Sequence, residues 1–369
     1  MGAILLEPPF DLEAVPDRPA VFLIHPREGR PYLARTALLR RRLKRLLLPR
    51  AGLSKLLNLS EVAVRVEYHL TASRLGSSLT YYDLARQHFP DDYAAMIKLR
   101  LAPFVKVLLA NEFPRTAITT RLSVSQAFQY GPFRSRVTAE RFEQEMLDLF
   151  QVRRCQDDLK VSPDHPGCIY GEMMRCLRPC QAVVGPEEYR SEVDRLVHFL
   201  QTGGHSLLEP VAKARDRFSE ELDFEQAQRQ HQRYHRIEQV LKLRDDLVDD
   251  IDRVCGVAVA PSVEPGCVEL LMMLKGIWQA PVEFKVAATG RDVIPLDRRL
   301  RELVAGVSAP KVTIRERAEH LSLLSRWYYS SWRDAEWIEF PKVEDLPYRR
   351  LVRAISKTAS AVQTTLFEP

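Results

Sequence analysis

Four cysteines in one short segment constrain this chain more than any other feature of its sequence. Cys155, Cys168, Cys176 and Cys180 are separated by twelve, seven and three residues, and the chain has six cysteines in all. The same segment carries three prolines and two glycines, which favour loops over regular structure. Such a loop buries little apolar surface, so its order must come from elsewhere. Four thiolates that converge on one metal centre would provide that order.

The spacing alone leaves several kinds of cross-link open. Four cysteines satisfy the tetrahedral preference of a structural zinc ion, and an iron–sulfur cluster takes the same four ligands. The C-x-x-C pairs of a zinc ribbon are absent from the segment. Two disulfides would require an oxidising compartment. Coordination of a metal is the interpretation that we favour.

The cysteine segment and its flanks resemble the N-terminal half of the UvrC excinuclease subunit family, over roughly residues 19–250. The stretches that carry the resemblance are EFPRTAITTRL (112–122), YGPF (130–133), RCLRPC (175–180) and PEEYRSEVDRLVHFLQ (186–201). The resemblance implies that Cys155, Cys168, Cys176 and Cys180 hold an iron–sulfur cluster, of the 4Fe–4S type, with zinc as the alternative.

The first hundred residues predict a β-hairpin followed by a helix. The apolar run AVFLI (20–24) is typical of a buried strand, the residues from His25 to Arg30 form a turn, and a second strand opens near Tyr32. Thr36 is then expected to cap a helix in which leucines recur at helical spacing. This order resembles the GIY-YIG nuclease domain that opens UvrC.

The residues expected to do the chemistry of that domain are only partly present. The resemblance places Tyr32 at one of two catalytic tyrosines and Arg42 at the catalytic arginine, whereas Phe22 stands at the other tyrosine. Tyr81 stands where a metal-binding glutamate belongs, and Asp83 is the nearest carboxylate. Without that carboxylate a divalent metal loses its anchor. We therefore expect a degenerate nuclease site; a divalent metal cofactor and DNA endonuclease activity are expected only if the site is active.

A basic stretch follows the hairpin. Residues 27–50 contain nine Arg or Lys and one acid, Glu28, although the net charge of the whole chain is only +5. Such a stretch can hold phosphates electrostatically. The residues that we expect to contact DNA are Arg35, Arg40, Arg41, Lys44 and Arg45.

The middle of the chain predicts a small sheet over 100–134, a helix capped by Thr138, a helix over 186–200 and a helical hairpin over 205–247. Asp223 and Gln226 form a capping box for the second helix of the hairpin. SEELDFEQAQ (219–228) resembles the UVR motif, in which Phe224, Glu225 and Ala227 would contact a UvrB-type partner. His231-Gln232 replaces the usual Arg-Asp, and a hairpin packed within its own chain is the alternative.

Residues 251–369 are the hardest to interpret. VAVAPSV and CVELLMML indicate paired strands, Cys255 and Cys267 are expected to be buried apolar residues, and helices are expected near 296–306 and 313–326. RWYYSSWRDAEWIEF (326–340) combines aromatic residues with arginines. Such a cluster can stack on unpaired bases, but a packing surface is the interpretation that we favour. We recognise no RNase H-like nuclease here.

These observations predict an α+β chain: an irregular lead-in (1–18), a degenerate GIY-YIG-like domain (19–100), a cysteine-cluster module (101–204), a UVR-like helical hairpin (205–250) and a small mixed C-terminal region (251–369). The sequence shows no secretory signal and no apolar run that would span a membrane, so we expect a cytoplasmic protein with reduced thiols. The expected function is DNA binding in nucleotide excision repair without incision. The alternatives are a short UvrC-type nuclease that makes a single incision and a structural or redox-sensing iron–sulfur protein.

Overall fold

The computed structural model describes residues 4–48, 57–123, 126–156, 158–286, 295–306 and 311–367. Over these ranges the chain forms three antiparallel sheets with helices packed on their faces, which confirms the α+β fold class. No helix in the same ranges is both long and apolar enough to cross a membrane.

The first sheet contains the predicted hairpin. Its strands, in spatial order, are β1 (Ile4–Leu6), β4 (Ala63–Leu70), β2 (Ala20–Pro26) and β3 (Tyr32–Thr36). Helix α1 (Leu39–Leu47) buries its leucines against one face of this sheet. Helices α2 (Arg74–His88) and α3 (Tyr93–Ile97) pack on the other face.

Two of the predicted helix caps are wrong. Thr36 is the last residue of β3, and Leu38 is the N-cap of α1 without a side-chain hydrogen bond. The Thr36 hydroxyl instead accepts from the backbone N–H of Leu38, at 3.2 Å, within the turn between strand and helix. The N-cap of the later helix lies three residues before the predicted one, because Ser135 and Thr138 form a capping box in which Ser135 is the N-cap.

The second sheet holds the cysteine segment and the helical hairpin. Its strands, in spatial order, are β6 (Thr116–Thr119), β5 (Phe104–Val107), β7 (Phe128–Gly131) and β8 (Asp249–Asp250). Its helices are α4 (Arg136–Leu147), α5 (Ile169–Glu172), α6 (Pro186–Gln201), α7 (His205–Glu220) and α8 (Phe224–Leu241), with a 3-10 turn at Pro179–Gln181. The cysteine segment therefore contains only short elements, as its prolines and glycines predict. The Asp223 cap of α8 is confirmed, because its side chain accepts from the backbone N–H of Gln226.

Residues 251–367 form the third sheet and the last helices. The strands are β9 (Gly256–Pro261), β10 (Cys267–Leu274), β11 (Ile277–Trp278), β12 (Val282–Lys285) and β13 (Glu336–Glu339), with β9 and β10 at the centre. The helices are α9 (Leu296–Ala305), α10 (Ile314–Tyr328) and α11 (Tyr348–Phe367). Cys255 and Cys267 are buried, as predicted.

A single hydrophobic core joins the first sheet to the third. Leu23 of β2 and Leu75 of α2 belong to the same cluster of buried residues as Leu271 of β10 and Trp327 of α10. Helices α2 and α10 thus lie between two sheets that come from opposite ends of the chain. A cavity of about 700 Å³ lies along this junction.

Candidate functional site

The structure brings together the residues that resemble part of a nuclease site. Arg42 on α1 donates from Nη2 to the hydroxyl of Tyr32 on β3, at 2.9 Å. The ring of Phe22, on the neighbouring strand, lies 6.2 Å from the Tyr32 ring, centroid to centroid, and is completely buried. The β2–β3 hairpin and α1 therefore hold Tyr32 and Arg42 together. Phe22, at the position of the other tyrosine, offers only an apolar ring.

Tyr81 on α2 contacts the guanidinium group of Arg35, at the position where the resemblance expects a metal-binding carboxylate. The guanidinium carbon of Arg35 lies 4.8 Å from the centroid of the Tyr81 ring, and Arg35 Nη1 donates to the Ser78 hydroxyl at 3.3 Å. Burial raises the pKa of Tyr81, and the nearby Arg35 opposes that shift. Tyr81 is thus a neutral phenol that stacks with Arg35 at the position where the resemblance expects a carboxylate.

The nearest carboxylate on α2 faces a different cavity. Arg35 and Tyr81 line the large cavity at the junction of the two sheets. Asp83 lines a separate cavity together with Glu269, Glu283 and other residues. Among the residues that the structure describes, no group of three or more His, Cys, Asp or Glu side chains could hold a metal ion. The helix therefore does not bring Asp83 to Arg35 and Tyr81.

The basic face of α1 is only partly open to solvent. Arg41 and Arg45 are exposed. Arg40 Nε donates to the carbonyl oxygen of Val15, at 2.6 Å, and the Lys44 ammonium pairs with the Glu13 carboxylate. The lead-in segment thus engages two of the five predicted DNA contacts, and the exposed pair on this helix is Arg41 and Arg45.

The four clustered cysteines are reduced and lie within electrostatic reach of one another. Cys176 and Cys180 are buried, Cys155 is half-buried, Cys168 is exposed, and all four thiols are free. The pKa of Cys176 is raised to about 11, chiefly by burial; the other three cysteines contribute to the rise, and a hydrogen bond from the Arg178 backbone opposes it. Among the described residues, no three of these side chains are placed to hold a metal ion.

The tip of the α7–α8 hairpin exposes two apolar side chains. Leu222, in a left-handed backbone conformation with φ of 60°, is 71% exposed, and Phe224 is 67% exposed. Glu225 pairs with Arg229 at 2.6 Å, and Ala227 is half-buried. Of the three predicted partner contacts, Phe224 is thus the one that presents a large apolar surface to solvent.

Two residues beside the large cavity were not singled out as site residues from the sequence. Arg326 and Trp332 line it together with Arg35 and Tyr81. Both belong to the aromatic and arginine cluster at 326–340, so the composition marked the segment. Most of that cluster does pack into the core, as Trp327 and Trp337 show.

Residues 102–199 match the family model described as the UvrC/Cho excinuclease middle domain. The chain is 26% identical over 230 residues to the UvrABC system protein C of Moorella thermoacetica, a match that covers 62% of this chain and 37% of that protein. It is 24% identical over 271 residues to the UvrABC system protein C of Lachnospira eligens, with 72% of this chain and 44% of the relative covered. A longer match, to the protein of the same name from Caldanaerobacter subterraneus, is 22% identical over 371 residues and covers 97% of this chain and 60% of the relative.

The chain spans about half the length of the curated relatives that it matches. No solved structure matches it.

Proposed function

We propose that this chain, which is UvrC-like in sequence, is a DNA-binding protein of nucleotide excision repair whose nuclease-like domain does not cut DNA. The observation that carries the second half of the proposal is the Arg35–Tyr81 contact. It occupies the position where the resemblance expects the metal-binding carboxylate.

Hydrolysis of a phosphodiester depends strongly on a metal that polarises the phosphoryl oxygens and stabilises the leaving oxygen. Here Asp83 lines another cavity, and Phe22 lacks the hydroxyl of a second tyrosine. What remains is a set of cations, with Arg41 and Arg45 exposed on α1, that can contact backbone phosphates. The domain is therefore suited to bind DNA without cleaving it.

The test is a nicking and binding assay with a lesion-bearing duplex in the presence of Mg²⁺ or Mn²⁺. We expect binding that weakens steeply with salt, and intact DNA. Arg41→Ala combined with Arg45→Ala should reduce the slope of log affinity against log salt by about 2, because each lost phosphate contact removes about 0.9. The same double change at Arg353 and Arg349, on α11, is the matched control. Nicking that copurifies with the folded protein and vanishes in Arg42→Ala would overturn the proposal.

A second candidate, a nuclease that makes a single incision, is favoured by one observation. The 2.9 Å contact between Arg42 and Tyr32 keeps a phenol and a guanidinium together where the resemblance expects catalytic groups. The same nicking assay separates the two candidates, because only the second predicts a metal-dependent nick.

We propose that Cys155, Cys168, Cys176 and Cys180 hold an iron–sulfur cluster. The proposal is supported by four free thiols in one short segment, of which Cys176 and Cys180 are buried. A cluster distributes its thiolate ligands around several metal ions, and when bound it supplies an electron-transfer centre and cross-links the loop. The chain itself contributes the two buried thiols and the N–H of Arg178, which donates to Cys176 Sγ at 3.4 Å and stabilises its thiolate form.

Anaerobically purified protein should therefore contain iron and acid-labile sulfide and absorb broadly in the visible range. Cys176→Ser should remove most of the iron, whereas Cys255→Ser, at a buried cysteine of the third sheet, should not. Stoichiometric zinc in a colourless protein would contradict the cluster and favour the zinc alternative.

We further propose that the α7–α8 hairpin docks on a UvrB-type partner through Phe224. Its large exposed ring at the tip of a helical hairpin supports this proposal. Comparing partner binding with folding stability for Phe224→Ala tests this proposal.

A further inference from the structure

A cavity of about 700 Å³ opens where the first and third sheets meet. The nuclease-like part of the chain contributes Arg35, Arg74 and Tyr81 to its lining, and residues from α10 onward contribute Arg326 and Trp332. Its volume lies within the range of roughly 300–1,000 Å³ that is typical of ligand pockets. The cavity therefore exists only because the two ends of the chain pack together.

The described lining of this cavity is positively charged. Three of its side chains are arginines, Arg35, Arg74 and Arg326, and Asp334 is the one acid among the described residues that line it. That carboxylate is already engaged, because it accepts from the Arg74 backbone N–H and from Trp327 Nε1, the latter at 3.2 Å. Three guanidinium groups against one carboxylate leave the described lining with a net positive charge.

Two of the guanidinium groups repel each other. Partial removal from water lowers the pKa of Arg35, and the charge of Arg326 lowers it further, while Tyr81 opposes the shift. Arg35 remains exposed at the mouth of the cavity and stays charged, so the structure holds two like charges in one space. Arg326 Nη1 donates to the carbonyl of Ile97, at 3.1 Å, which fixes its position. An anion between the two would relieve the repulsion.

An aromatic surface accompanies this charge. Trp332 is half-buried, packs against the shared core and lines the cavity. The Tyr81 ring is already stacked with Arg35, so Trp332 is the ring that can receive a ligand. Ser77 belongs to the same lining, and its hydroxyl can bond to sugar or phosphate oxygens. Positive charge beside an aromatic face is the combination that single-stranded nucleic acid sites use.

We propose that this cavity binds one unpaired nucleotide of a DNA strand, with its phosphate between Arg35 and Arg326 and its base against Trp332. The inference rests on the proposed DNA-binding function and adds to it an unpaired substrate and a part for residues of the C-terminal region. A free mononucleotide has the same chemistry, so the experiment must separate the two sources.

The full-length protein is titrated with three probes: a fluorescent single-stranded dT₆ oligonucleotide, free dTMP, and a blunt duplex. Trp332→Ala should weaken dT₆ binding by about tenfold or more, the lower end of what one stacked base contributes. Trp332→Phe should restore most of it. Arg326→Gln, which keeps a donor for the Ile97 carbonyl, should weaken dT₆ binding by a similar factor. Arg353→Gln, on an exposed arginine of α11, is the charge-matched control.

Thermal melting of each variant shows whether it is folded, and Arg326→Gln keeps the test decisive if the Trp332→Ala variant melts early. Blunt duplex binding through α1 should change less than threefold. If the Arg326→Gln and Trp332→Ala variants both bound dT₆ as tightly as the wild type, the cavity proposal would be overturned. Binding of the duplex would still support the proposed DNA-binding function. If the wild-type protein bound neither dT₆ nor the duplex, the proposed function itself would be overturned. Tighter binding of dTMP than of dT₆ would assign the cavity to a free nucleotide and contradict a strand-binding site.

Discussion

Aromatic side chains lie on helices both at the contact between α2 and α10 and at the tip of the α7–α8 hairpin. Only at the α2–α10 contact, the closed region of the two, are they covered by another part of the chain. Tyr82 on α2 is 1% exposed, whereas Phe224 at the hairpin tip is 67% exposed. The sequence alone does not say which of the two aromatic side chains is covered. The difference lies in whether another part of the chain supplies a partner, so the two regions should respond to mutation in opposite ways.

At the closed region, the partner is a buried carboxylate. Glu319 on α10 is 3% exposed in its side chain and accepts from the hydroxyls of Tyr82 and Tyr93, each at 2.7 Å. Arg315 Nε lies 3.1 Å from the same carboxylate, and Arg86 on α2 pairs with Glu316. These bonds join helices from opposite ends of the chain and satisfy polar groups that would otherwise be costly to bury.

The largest expected effect is therefore at Glu319. Glu319→Ala leaves two buried phenol hydroxyls without their acceptor, and we expect the free energy of unfolding to fall by about 3 kcal/mol. Urea denaturation measures the change. Glu302→Ala, which removes an exposed pair with Arg298, should change the same quantity by less than about 0.5 kcal/mol. Equal effects of the two changes would show that the α2–α10 contact is not a core.

A smaller loss is expected at Gly256 on β9. A Cβ there would lie 2.2 Å from Cζ2 of Trp337, which is buried in the core shared by the first and third sheets. Gly256→Ala should lower the free energy of unfolding by about 2 kcal/mol, because the indole must move in a packed core. Gly306→Ala, whose nearest contact would be 3.6 Å, is the control. An unchanged melting temperature for Gly256→Ala would mean that Trp337 has room to move.

Glu269 on β10 gives the junction a dependence on pH. Its carboxylate lies so close to Gly76 of α2 that an added Cβ would be 2.6 Å from its oxygen. Burial raises the pKa of Glu269 to about 7 from an ordinary value of 4.5, and Glu283 adds to the shift. His69 and Asp83 line the same cavity. The folded state thus holds this proton more tightly than the unfolded state does, so the carboxyl destabilises the fold increasingly as the pH rises from 4.5 to 7.

Glu269→Gln should consequently raise the free energy of unfolding at pH 8 by about 2 kcal/mol and leave it nearly unchanged at pH 4.5. Denaturation curves at both pH values measure this difference. Glu264→Gln, at an exposed glutamate, should show no such dependence. A stabilisation that is the same at both pH values would exclude titration of Glu269 as its cause.

The sequence predicted local features well and the junction not at all. The β2–β3 hairpin and the helical hairpin follow from runs, turns and spacings within a few tens of residues, and the family resemblance placed Tyr32 and Arg42 in one site. The bond between Tyr82 and Glu319 spans 237 positions, and no periodicity says which distant helix will cover a given face. The same limit explains why Arg326 and Trp332 were marked by composition but not placed in a site. The misplaced caps were errors of two or three residues: Thr36 ends β3 and α1 begins after Leu38 without a side-chain cap, whereas Ser135 and Thr138 can each cap the other helix.

The smallest effect on stability is expected at the open region. Phe224 leaves most of its ring in water, so Phe224→Ala removes little buried surface and should change the free energy of unfolding by less than about 0.5 kcal/mol. If the tip docks on a UvrB-type partner, the ring is an anchor that is buried only in the complex. Its truncation should then weaken binding by at least about tenfold, because buried aromatic anchors commonly contribute more than 1 kcal/mol.

Calorimetric binding to a purified UvrB-type protein, beside urea denaturation of the same samples, measures both quantities for Phe224→Ala. Val211→Ala is the matched contrast, because Val211 of α7 is buried in the core that the hairpin shares with the second sheet. It should lower stability by about 1–3 kcal/mol while the folded fraction binds normally. A Phe224 variant that loses stability and affinity in the same proportion would show that the hairpin tip is part of a core, and would remove the contrast with the α2–α10 contact.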